Sequence, residues 1–89
     1  MKFLDSEVAT KIGDMIQVHL SGTEANVLVM DESNFQNYRS GRQFRYDGGG
    51  HYKQSPVNIP APAAGRWHVV IDLGGAVGSV KAEIRVISN

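Results

Sequence analysis

Apolar and polar residues alternate with a period of two in several short runs. The clearest lies between Arg66 and Leu73, with Trp67, Val69, Ile71 and Leu73 on one side and His68, Val70 and Asp72 on the other. That spacing predicts a strand with one face in a core. The stretch GGAVG follows as a glycine turn, and Val80, Ala82, Ile84 and Val86 then alternate with Lys81, Glu83 and Arg85. The two runs predict a β-hairpin with a short loop. The alternating charges on the outer side of the second run guard it against edge-to-edge pairing.

Earlier in the chain, Ile16, Val18 and Leu20 alternate with Met15, Gln17 and His19. The turn SGTE leads into ANVLVM, a nearly continuous apolar run suited to a central strand or one covered on both faces. In RQFRYD, Phe44 and Tyr46 are set toward the body and Arg45 outward, which predicts a hairpin arm with Gly48, Gly49 and Gly50 at its bend. A short strand from Val57 to Ile59 is closed by prolines, which cannot donate to a ladder. The first segment reads as a strand, with a short helix from Ser6 to Ile12 as the alternative, since Val8 and Ile12 lie four apart. In ESNFQNYRSGR, Ser33 and Asn34 are placed to cap one helical turn, Phe35 and Tyr38 share a face of it, and Gly41 can end it. Its expected role is to plug one end of the fold.

Six to seven short strands without a sustained helical period predict an all-β fold, a small antiparallel β-sandwich or partly open barrel. With 89 residues it forms one domain over 1–89. The expected core is Ile16, Val18, Leu20, Val27, Val29, Phe44, Val57, Ile59, Trp67, Val69, Ile71, Leu73, Val80, Ile84 and Val86.

Four stretches carry a family resemblance: GDMIQVHLSGTEANVLVMDESNFQNYRSG, YDGG, SPVNIPAPAAGRWHVVIDLGG and GSVKAEIRV. Together they resemble the bacterial domain-of-unknown-function family numbered 1883, over nearly the whole chain. The resemblance implies a small, mostly β domain that stands alone or is joined to modules such as TIR domains. It brings no activity, substrate or catalytic residue to transfer. Only DSEVATKIGD departs from it, being more polar than the resemblance implies for an opening strand.

Charge changes the picture in one respect. Net charge is zero, yet residues 1–38 carry −4 and residues 39–89 carry +4. Between Phe35 and Lys53, arginines and aromatics crowd together. Arginine forms bidentate contacts to phosphate or carboxylate, and tyrosine stacks on rings. The first functional reading is therefore a non-enzymatic binding or protein-interaction module. It would present Arg42, Arg45, Tyr46, His51, Tyr52 and Lys53 to an anionic ligand or a partner protein, with nucleic acid a less favoured partner.

The alternative is a small hydrolase-like or metal-dependent enzyme using His19, His68 and Asp72, if these converge. A metal held by Asp47, His51 and His68 has no supporting spacing. A third reading is a structural or oligomerisation unit. YDGGGH does not make a phosphate loop, because no Lys-Ser/Thr step and no helix follow it. No nucleophile motif stands out, and no cofactor is expected. There is no cysteine, no signal-like apolar run and no 20-residue apolar segment, so the chain reads as soluble and cytoplasmic, without a membrane partner.

Overall fold

The computed structural model describes residues 3–22, 24–74 and 78–88. Within them lie seven strands and one helix in the order β1 (Phe3–Thr10), β2 (Met15–Gly22), β3 (Ala25–Met30), α1 (Glu32–Arg39), β4 (Gly48–Tyr52), β5 (Val57–Pro60), β6 (Gly65–Asp72) and β7 (Val80–Ile87). They form two antiparallel sheets, one of four strands in the order β1-β6-β3-β4 and one of three in the order β5-β2-β7. The sheets face one another as a small β-sandwich and do not close into a barrel.

The predicted alternation sets the inner layer. Ile16 and Val18 of β2, Val57 and Ile59 of β5, Val27 and Val29 of β3, and Val69 and Ile71 of β6 are all buried there together. Val8, Leu20, Tyr52, Trp67, Leu73, Val80, Ala82 and Ile84 pack around them. Burying each large aliphatic side chain stabilises by about 1.5–3 kcal/mol before entropy is counted. The register matches this layer, with Val27 opposite Ile71 and Val29 opposite Val69.

The four-stranded sheet is buried on its other face as well. Leu28 and Met30 of β3 and Val70 of β6 form a second cluster with Phe35 and Tyr38 of α1, flanked by Phe3 and Phe44. The continuous apolar run of β3 follows from this double burial. α1 therefore lies over a sheet face and does not plug an end of the sandwich. Asp31 caps it, accepting from the Asn34 amide at 2.8 Å, in place of Ser33 or Asn34. Gly41 ends it as expected. At φ +74°, its amide reaches Tyr38 O at 3.2 Å while that of Arg42 reaches Asn37 O at 2.8 Å, a Schellman closure.

Other expectations are corrected as well. β6 and β7 are not a hairpin: β6 pairs with β1 and β3, and β7 pairs with β2 in the opposite sheet. Each run alternates equally well against any neighbour, so period alone does not choose a partner. The GGAVG segment that joins them includes residues 75–77, which lie outside the described residues.

Residues 43–47 are not a strand either, and the triple glycine is not a bend. Gly48–Gly50 begin β4, and at the first two of them a side chain would collide. A Cβ on Gly48 would sit 2.9 Å from Ile59 Cγ2, and one on Gly49 would sit 1.9 Å from Val27 O. Phe44 joins the outer cluster rather than the inner core, and Tyr46 is exposed rather than turned toward the body. The opening segment is a strand, and the helical alternative over Ser6–Ile12 does not occur.

Candidate functional site

The outer face of the four-stranded sheet carries most of the polar chemistry. β1 and β6 pair with Asp5 opposite Val70 and Glu7 opposite His68, so both acids share the face of His68. α1 brings Glu32 over the same place. His68 is only 5 % exposed, and its ring stacks on Phe35 at 4.0 Å and 8°. Its Nδ1 lies 3.0 Å from Asp5 Oδ1, its Nε2 lies 2.8 Å from Glu32 Oε1, and Glu7 Oε1 is 3.6 Å from the same Nε2.

Burial alone would lower the His68 pKa. The hydrogen bonds to Glu32 and Asp5 and the charges of those carboxylates outweigh it, and the net shift is upward. Glu32 is held below the usual carboxylate value, first by its hydrogen bond from Gln36 and then by His68. A small cavity of about 310 Å³ opens onto Glu7, Glu32, Arg66, Trp67 and His68.

Further along β6, Asp72 is buried and satisfied. It accepts from Tyr38 Oη at 2.5 Å, Asn26 Nδ2 at 2.8 Å and the Gly74 amide at 2.9 Å. Burial, and then the bond to this carboxylate, push the Tyr38 phenol well above its ordinary pKa. Asn26 Oδ1 is 2.9 Å from His51 Nδ1, and His51 Nε2 is 3.1 Å from Glu24 Oε1. Together these contacts form a polar line from α1 across β3 to β4. Among the described residues no buried side-chain polar atom is left without a partner.

Beyond the C-terminus of α1, residues 42–47 have no regular structure yet are tied at several points. The Arg45 amide donates to Asn34 Oδ1 at 2.8 Å, and the Asp47 amide donates to Val29 O at 2.7 Å. Phe44 anchors the segment by meeting Tyr38 edge-on at 5.0 Å. Arg42 and Arg45 are exposed, and Tyr46 is half exposed. Asn34, Asn37, Gln43, Phe44 and Arg45 line a shallow polar depression of about 370 Å³. A wider, mostly apolar groove of about 570 Å³ between β1 and β7 is lined by Leu4, Ile71, Leu73 and Val80, and among the described residues the one titratable group on its wall is the already satisfied Asp72.

The residues singled out from sequence thus divide. Arg42, Arg45 and Tyr46 share the segment after α1. His51 lies at the far end of β4 in the Asp72 line, Tyr52 packs against the inner core, and Lys53 follows in the turn beside Glu24 and Ser55. His19 lies on the outer face of the three-stranded sheet, 3.0 Å from Gln17 Oε1, whereas His68 and Asp72 lie on the outer face of the other sheet. The sandwich separates them. Both were expected to face solvent, and α1 buries them instead. Asp47 does not join His51 and His68, because His51 faces Asn26 and Glu24 and His68 faces Asp5, Glu7 and Glu32.

Sequence reasoning missed Asp5, Glu7 and Glu32. A signal existed: Asp5 and Glu7 recur at strand period, and ANVLVM implies an element covering its outer face.

No helix among the described residues is long and apolar enough to cross a membrane. No curated protein and no solved structure matches the chain. One family model does, over residues 1–89, under the description "Domain of unknown function (DUF1883)". Its match spans both sheets, α1 and every residue of the sites above, and the chain belongs to the DUF1883 family.

Proposed function

We propose that the domain is a non-enzymatic binding module that receives an anionic group, such as an acidic stretch of a partner protein, on the segment after α1. One observation supports this reading above the others. A non-repetitive segment is held by hydrogen bonds from the amides of Gly41, Arg42 and Asp47 to backbone carbonyls and of Arg45 to Asn34 Oδ1, and carries the exposed Arg42, Arg45 and Tyr46. A loop fixed in advance loses little entropy when it binds, and exposed arginine and tyrosine are the side chains that contribute most to interfaces. The neighbouring Asn37 and Gln43 supply amide donors and acceptors around the depression. A bacterial, cytoplasmic setting belongs to the same proposal.

Titration of ¹⁵N-labelled domain with poly-glutamate and, separately, with a single-stranded oligonucleotide tests it. Poly-glutamate is expected to shift the amides of 42–46, and R42A/R45A to abolish the shifts. No shift with either polymer, or shifts confined to another face, would overturn the reading. Preferential oligonucleotide binding with a steep salt dependence would replace the protein partner with nucleic acid.

A further inference from the structure

We propose that His68, Glu7 and Glu32 form a binding site for a first-row divalent cation, with Zn²⁺ the best fit. One ligand atom from each converges so that all three lie within 4.8 Å of one another, with His68 Nε2 facing Glu7 Oε1 and Glu32 Oε1. The distances from Nε2, 3.6 Å to Glu7 Oε1 and 2.8 Å to Glu32 Oε1, bracket the ligand–ligand separations that metal bonds of about 2.0–2.2 Å require. The cavity beside them leaves room for water to complete the coordination.

The support behind each ligand separates this cluster from a surface patch of acids. His68 Nδ1 is held by Asp5 at 3.0 Å, which orients the ring and leaves Nε2 facing the other two groups. The second oxygen of Glu32 accepts from Gln36 Nε2 at 2.5 Å, and the second oxygen of Glu7 lies 3.8 Å from Arg66 Nη1. His68 and Glu32 thus each offer one atom inward while the other polar atom is hydrogen-bonded to a residue outside the set, as outer partners hold the ligands of metal centres. Phe35 fixes the plane of the imidazole.

Asp5, Glu7 and Glu32 place three carboxylates around one imidazole, with Arg66 beside Glu7 and the charge of Arg39 felt at Glu32; a cation taking the place of the ring proton would be attracted by the same carboxylates. One imidazole nitrogen with carboxylate oxygens suits zinc better than magnesium or calcium, which take oxygen ligands. A bound ion would join β1, β6 and α1, so it would stabilise the fold.

The test uses the full 89-residue chain without a histidine tag, stripped with EDTA and transferred to chelator-free buffer. Zn²⁺, Mn²⁺ and Mg²⁺ are titrated by calorimetry and thermal melting. At free Zn²⁺ about 100 times its Kd, the melting temperature is expected to rise by roughly 10–20 °C. E7Q/E32Q removes two exposed carboxylates without opening the core and is expected to weaken Zn²⁺ binding at least about 10-fold. H19N, which removes a histidine from the opposite sheet, should bind as the parent does. Absence of Zn²⁺ binding up to millimolar concentration would overturn the proposal. So would E7Q/E32Q binding with the parent's affinity, or H19N losing it, since either places the ion elsewhere.

Discussion

Alanine at Gly49 tests whether the triple glycine is a strand pressed against its neighbour. Gly41 supplies the control. Its φ is +74°, and a Cβ there would meet nothing within 4 Å. Gly41→Ala therefore costs only the left-handed backbone conformation, about 1–2 kcal/mol.

Gly49 has φ +109°, and its Cβ would lie 1.9 Å from Val27 O, 2.9 Å from Val27 C and 3.1 Å from Leu28 Cα. These are backbone atoms of the paired strand, where Gly49 stands opposite Leu28, so no side-chain rotation relieves the contact. β4 must move away from β3. The backbone conformation costs about 1–3 kcal/mol, and losing two ladder bonds costs about 1 kcal/mol each. The expected loss is about 3 kcal/mol or more, a large part of the roughly 4–13 kcal/mol typical of a chain of 89 residues.

Urea unfolding followed by fluorescence of Trp67, the single tryptophan, measures both variants. Hydrogen exchange across 48–52 locates the loosening. If Gly49→Ala falls within about 1 kcal/mol of Gly41→Ala, the pairing of β4 with β3 described above is wrong.

Two further outcomes follow from the covered face of the sheet. Tyr38→Phe removes the 2.5 Å bond to Asp72 while Asn26 and the Gly74 amide remain; the expected cost in urea unfolding is about 1.5–3 kcal/mol, and no measurable loss would show that the phenol does not serve Asp72. In metal-free protein, His68 has a folded pKa raised above the unfolded value of 6.5, so its stabilisation is complete below pH 6.5 and is lost as pH rises through the folded value. The melting temperature should fall over that rise and fall less in Asp5→Asn, and a flat or rising profile would contradict the pairing with Asp5 and Glu32.

The distribution of correct and corrected expectations has a physical basis. A period of two fixes which residues of a strand share a face, so Ile16, Val18, Val27, Val29, Val69 and Ile71 were legible as one inner layer. The nearly continuous apolar run ANVLVM pointed to a central or doubly covered strand, because a strand with one face in water alternates apolar with polar residues. The helix was harder to read. At eight residues it is too short to show a period, and Phe35 and Tyr38 are its two buried positions. Without it, His68, Val70 and Asp72 look like a solvent face. The acids around His68 come from residues 5, 7 and 32, and no local spacing brings them together.

By itself, then, the sequence determined the class of fold, its inner layer, the termination at Gly41 and the family, since these rest on alternation, turn chemistry and motifs within reach along the chain. Tertiary structure alone decided that β6 and β7 belong to opposite sheets, that Gly48–Gly50 form a strand, and that α1 covers the β3–β6 face. Those outcomes depend on partner choice. Alternation says which side of a strand is buried but not what buries it, and a glycine permits either a turn or a close approach until the opposing backbone is in place.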